Sequence, residues 1–264
     1  MLSADGYDRQ HCGKPRSLVA ISNPDRIPSR MKGILTIIMI FFASICFSQD
    51  SSYKFPEISS TGKSINDFIP PGWTIRDTAT ADFNKDGLKD IALIIQTKEP
   101  YKFEDTTCFS KEPFFQKILI VLLRQPDKTF HQSILATKLF GNCNWGIQGQ
   151  DPYDKIEVRR NTLGITFLTG GTLRNFLSYY FRFQSNDWYL IGAESQQYWA
   201  GHTDSEDAVY YEKLNLLTGI RETYNEDAKG KNQSNYKKET FAKKPPPKLS
   251  DFADDSSLPF SDNN

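Results

Sequence analysis

Nine consecutive residues carry the most chemistry in this chain: Asp82, Phe83, Asn84, Lys85, Asp86, Gly87, Leu88, Lys89 and Asp90. The spacing D-x-N-x-D-G-x-x-D presents hard side-chain oxygens at alternate positions, as calcium requires, and sets a glycine where the chain must turn sharply. Magnesium would demand stricter octahedral geometry. The competing reading is an Asx-rich turn whose side chains bond their own backbone without metal. A turn alone does not need three carboxylates, Asp82, Asp86 and Asp90, and a simple turn would end before Asp90.

Catalytic chemistry is harder to place. Past residue 48 the histidines are His131 and His202, and neither has a partner at metal-ligand spacing or a serine in a nucleophile-elbow setting. His202 sits in the polar stretch Trp199–Asp204, which reads as a surface loop. Asp187 and Glu194 flank an aromatic strand and could pair as hydrolytic carboxylates, but the wet face of an antiparallel sheet accounts for them equally. No catalytic residue is assigned. Asn142, Asn144, Trp145, Tyr153, Tyr179, Tyr180, Trp188, Tyr198 and Trp199 form a palette suited to sugar or protein recognition. Aromatics alternating along strands usually form core, so Trp145 and Trp199, which fall in expected loops, are the candidate ligand contacts.

The elements that must hold these groups have a period of two. Ile91–Ile95 is an apolar run beginning at the lip of the oxygen-rich loop. Lys117–Arg124 and Thr129–Lys138 read as a hairpin turning at Asp127–Lys128. Ile156–Arg160 and Leu163–Leu168 repeat the scheme about Asn161–Thr162, ending at Gly170–Gly171. Phe176–Gln184 and Trp188–Ser195 turn at Ser185–Asp187, and Tyr210–Leu217 and Ile220–Tyr224 turn at Thr218–Gly219. The expected fold is mainly β: antiparallel sheets built from hairpins in one domain over 49–225. One short N-terminal helix is expected at Ser64–Ile69, stopped by Pro70–Pro71. From 226 to 264 the chain turns rich in Lys, Pro and Asp and is expected to be a disordered tail.

Residues 31–48 have the layout of a secretory signal peptide: Met31-Lys32-Gly33, an apolar stretch from Ile34 to Phe47, then Ser48. That stretch is shorter than the roughly 20 residues that span a bilayer. The polar, proline-broken residues 1–30 read as a non-native extension ahead of a true start at Met31. Export to the periplasm or cell surface is expected, with lipidation at Cys46 the lesser reading because Ile45 precedes it. Residues 1–48 hold six of the 32 Lys and Arg and three of the 32 Asp and Glu, so the remainder carries 26 against 29. No basic field exists to hold phosphates, which argues against nucleic acid as a partner. In an oxidising compartment Cys108 and Cys143 are expected to form a disulfide.

The stretch Ala81–Ala92 resembles the calcium loop of FG-GAP or VCBS repeats, which build propeller blades in secreted and cell-surface proteins. The stretch occurs in one copy, whereas a propeller needs several repeats. Further down, Asp151-Pro152-Tyr153, Gly170-Gly171, Trp188–Gly192 and Leu216–Gly219 are similar in order to small exported bacterial proteins with one such loop on a β-rich domain. By motif position the resemblance implies Asp82, Asn84, Asp86 and Asp90 as side-chain calcium ligands and Leu88 as a backbone-carbonyl ligand. The expected function is non-catalytic binding of a protein or carbohydrate ligand by an exported calcium-binding domain. The alternative is a periplasmic hydrolase acting on a cell-envelope or polysaccharide substrate.

Overall fold

The apolar runs are short and rich in branched and aromatic residues, which suits half-buried strands better than helices. The computed structural model describes residues 53–101, 110–141, 143–200, 209–227 and 229–253. The expected extension and signal peptide, Cys46, Cys108, Asn142 and His202 lie outside them. The described residues from Phe55 onward form one unit.

Its strands are β1 (Thr61–Gly62), β2 (Trp73–Ala81), β3 (Asp90–Thr97), β4 (Lys117–Arg124), β5 (Phe130–Ala136), β6 (Tyr153–Arg159), β7 (Thr162–Gly170), β8 (Leu173–Gln184), β9 (Asp187–Trp199), β10 (Val209–Asn215), β11 (Ile220–Glu226) and β12 (Gln233–Thr240). They form two antiparallel sheets, ordered β1-β5-β4-β3-β2 and β12-β11-β10-β9-β8-β7-β6. The second sheet is a meander in which every strand pairs with its neighbours in sequence. Its hairpins turn through left-handed residues, Arg160–Asn161 between β6 and β7 and Ser185–Asn186 between β8 and β9. Such paired positive φ values match the right-handed twist of the flanking strands. The first of these turns lies one residue before the expected Asn161–Thr162, and Thr162 already belongs to β7.

The two sheets share one core. Ala92, Ile94, Leu119 and Val121 from the first meet Ile165, Phe167, Tyr179, Phe181, Trp188 and Leu190 from the second. The opposite face of β3 and β4 is also buried: Leu93, Ile95, Ile118 and Ile120 are fully enclosed. Burial on both faces explains why these strands read as continuous apolar runs. Trp188 donates its indole N–H to Ser133 Oγ at 2.9 Å, so the largest core side chain keeps its polar edge satisfied.

The expected short helix is present, capped by Ser64, and the expected tail needs correction. The short helix is a single 3-10 turn, Ile65–Phe68, whose Asp67 carboxylate accepts the N–H groups of Lys63 and Ser64 at 2.7 and 2.9 Å. Four residues ahead of two prolines leave no room for more. The expected disordered tail is also structured in part. Gln233–Thr240 adds an edge strand to β11, and Leu249 and Phe252 are buried in the shared core. Phe252 meets the rings of Tyr179 and Phe181 edge-on at 4.9 and 5.3 Å. Leu249 and Phe252, two and five residues past the proline run, dock a segment whose average composition is that of a linker, aided by backbone hydrogen bonds between Leu190 and Pro247 and between Leu249 and Trp188.

Candidate functional site

The loop at 82–90 joins β2 to β3, and it turns through Lys85 at φ 64° and Gly87 at φ 87°. Its side chains fold back on the backbone. Asp82 accepts the N–H groups of Asp86 and Gly87 at 3.0 Å each. Asn84 Oδ1 shares the Asp86 N–H at 3.1 Å, and Asp86 Oδ1 accepts Leu88 N–H at 2.7 Å. Asn84 Nδ2 donates to Asp86 Oδ2 at 2.8 Å. Three oxygen-bearing side chains are thus gathered on the exposed side of one turn.

Asp90 faces the other way. It is fully buried, and its two carboxylate oxygens accept N–H groups from opposite sides: Phe83 at 2.8 Å and Arg124 at 2.9 Å. Burial raises its pKa above the usual carboxylate range, while the backbone donors from Arg124, Phe83 and Asn84 pull it down. Asp90 therefore clasps the loop to the end of β4. Phe83, in the same loop, is buried with its ring 5.2 Å from that of Trp188. The loop is pinned from beneath by one apolar and one ionic side chain. Among the described residues, no group of three or more His, Cys, Asp or Glu side chains stands together as a metal cage. The donor chemistry of Asp82, Asn84 and Asp86, all hard oxygens, suits calcium. Leu88 has its N–H tied to Asp86 and is half-buried.

The candidate ligand contacts divide. Trp145 is partly buried, packed on the core and stacked on Phe167 at 5.7 Å, so it is not the exposed loop contact expected. Trp199 is 54% exposed at the end of β9, across from the exposed Leu173. Tyr153, Tyr179 and Trp188 are core residues, and Tyr198 stacks on Phe176. Asp187 and Glu194 do not form a pair. They lie seven residues apart on β9, which is about 23 Å of strand. Asp187 instead binds Lys248 at 2.8 Å.

A polar cluster that sequence reading missed surrounds Glu194. Tyr180 donates its hydroxyl to Glu194 at 3.0 Å, Arg159 stands 3.7 Å away, and Lys213 is its direct neighbour across β9 and β10. Burial, then the adjacent carboxylate, push the Tyr180 phenol up, so it remains a donor at any physiological pH. These four residues come from four strands, and only strand register brings them together. The signal available in the sequence was the unusual density of charge on strands otherwise rich in aromatics.

No helix among the described residues is long and apolar enough to cross a membrane. Compared with known proteins, the chain matches no family model, no curated protein and no solved structure.

Proposed function

We propose that this protein is an exported, non-catalytic binding module whose loop at 82–90 takes up calcium. Asp82, Asn84 and Asp86 would supply side-chain oxygens and Leu88 its carbonyl, with water completing the shell. Asp90, expected as a fourth side-chain ligand, serves the reading better as the clasp beneath the loop, since it is fully buried between the N–H groups of Phe83 and Arg124, away from the exposed oxygens of Asp82, Asn84 and Asp86.

The observation that carries the reading is the convergence of Asp82 Oδ1 and Asn84 Oδ1 on the single N–H of Asp86, at 3.0 and 3.1 Å. Oxygens so close, beside the Asp86 carboxylate, repel one another electrostatically, and a divalent cation would relieve that repulsion. Binding to the folded state alone raises stability by linkage, about 2.7 kcal/mol at a hundredfold excess over Kd. Thermal unfolding with calcium and with chelator, on the parent and on Asp86→Ala, tests it. A calcium-dependent rise in Tm that Asp86→Ala abolishes is expected; identical curves for the parent would overturn the reading.

A further inference from the structure

The outer face of the seven-stranded sheet, turned away from the core, carries its side chains in rows fixed by register. One row runs Gly164, Tyr180, Gly192, Asn215 and Ile220 across β7 to β11. The next runs Ser178, Glu194, Lys213, Glu222 and Lys238 across β8 to β12. Tyr180 stands between two glycines; its ring lies over Gly164, with the Arg159 guanidinium 5.2 Å from its centroid, and Gly192 on the other side leaves the sheet surface open. A cavity of about 470 Å³ opens there, with Gly192, Ala193 and Tyr180 among its lining residues. That volume lies within the roughly 300–1,000 Å³ of small-molecule sites.

The lining is charged and unbalanced. Arg159, Arg160, Arg182, Lys213 and Lys238 face it against Glu194 and Glu222. The second row explains part of this, because opposite charges alternate along it and neutralise one another. Lys238 reaches Glu222 at 3.2 Å, and Arg159 is held by Glu157 at 3.0 Å as well as by Glu194. What remains is positive: among the described residues neither Arg160 nor Arg182 forms an ion pair. Arg160 moreover occupies a left-handed turn position, φ 50°, of the kind Asn or Gly usually fills. The turn does not call for arginine there.

We propose that this cavity binds a small hydroxylated anion the size of a sugar acid. Arg160 and Arg182 hold its oxyanion, for which planar guanidinium groups offer paired donors. Glu194, fixed by Tyr180 and Arg159, accepts from its hydroxyls, and Ile220 and the bare backbone at Gly192 in the lining give apolar surface for the carbon skeleton. The shared chemistry is an oxyanion on a polyhydroxylated ring; a carboxylate and a phosphate both meet it. The proposal deepens the reading of the domain as a binding module and does not depend on calcium.

The test is titration of the purified chain with glucuronate, glucose 6-phosphate and neutral glucose, followed by calorimetry and by amide chemical shifts. One or both anions are expected to bind with Kd at or below roughly 1 mM and to weaken as salt is added, while glucose does not bind. Which anion binds tells a carboxylate site from a phosphate site. Arg160→Ala combined with Arg182→Ala is expected to weaken binding at least about tenfold with Tm unchanged, and Arg182→Lys to restore little because the fork is lost. Absence of binding by both anions up to about 20 mM, equal binding of glucose, or a double variant that titrates like the parent would overturn it. Such a result beside an intact calcium-dependent rise in Tm would leave the loop reading standing.

Discussion

Tyr153 donates its hydroxyl to Asp77 at 2.7 Å, joining the first strand of the seven-stranded sheet to a bulge in β2 of the other sheet. Two residues earlier Asp151 binds the buried Lys117 of β4 at 2.9 Å. The segment Asp151-Pro152-Tyr153, singled out in the sequence by resemblance alone, is therefore a polar seam between the sheets. Tyr153→Phe leaves Asp77 short of a donor in a partly buried setting. A loss of about 1.5–3 kcal/mol in denaturant unfolding is expected, the usual range for a hydrogen bond to a charged group.

Asp90 and Asp86 should behave differently without metal. Asp90→Ala strands two backbone N–H groups, on Phe83 and Arg124, with no acceptor. In chelator it should cost about 2–4 kcal/mol, since each unsatisfied buried group costs about 1–3. Asp86→Ala in chelator should cost under about 1 kcal/mol, because the bonds it loses are solvent-exposed. Equal losses measured by chemical denaturation would refute the division of labour between clasp and loop.

Phe252→Ala should destabilise the whole domain by about 3–5 kcal/mol, as large aromatic truncations in a core do. Removal of residues beyond 246 should do at least as much. A truncated chain with unchanged Tm would show that the segment contributes nothing to the core.

The same segment carries a pH signature. The hydrogen bond from the Lys248 ammonium holds Asp187 below the usual carboxylate range, and Asp187 raises Lys248 above its ordinary value. A depressed acid stabilises the folded state above its unfolded pKa of 3.8 and loses that contribution as pH falls through its lower folded value. A raised base is fully effective below 10.5 and loses its contribution as pH climbs through the higher folded value. Protection of the Leu249 amide, which donates to Trp188 O at 2.9 Å, should stay constant between about pH 4 and 10 and drop outside that window. Proteolysis after 246 that varies within the window would contradict it.

The proposed Cys108–Cys143 disulfide makes a covalent prediction. Reduction should lower stability by roughly 3–4 kcal/mol in the chain-entropy model, and peptide mapping without reductant should recover the two cysteines linked. Two alkylatable thiols in the native protein would exclude the pairing.

Most of the strands were legible because hydrophobic alternation and turn residues act locally. β4, the β8–β9 hairpin and the β10–β11 hairpin lie close to where period and punctuation put them. β2 was not legible, since Thr78–Ala81 alternates threonine with alanine, Arg76 and Asp77 interrupt its first half, and a bulge falls before Asp77. β12 offers no apolar face at all; it is an edge strand, exposed along most of its length, that exists because β11 supplies hydrogen-bond partners. At the loop, spacing revealed the oxygens but not their directions. That Asp90 points inward depends on Arg124, 34 residues away, and no local pattern encodes it. The Glu194 cluster was hidden for the same reason, as its members meet only after four strands find their register.

The strand orders of the two sheets also bear on how the chain acquires its structure. In the meander each partner is the next strand along, so the loops to be closed are short and zippering can run from one hairpin to the next at little entropic cost. The other sheet is different: β1 must find β5, with Thr61 opposite His131, after β2 to β4 have been laid down between them. Late closure of that two-residue strand makes the region around Thr61 the natural place for the native state to begin opening.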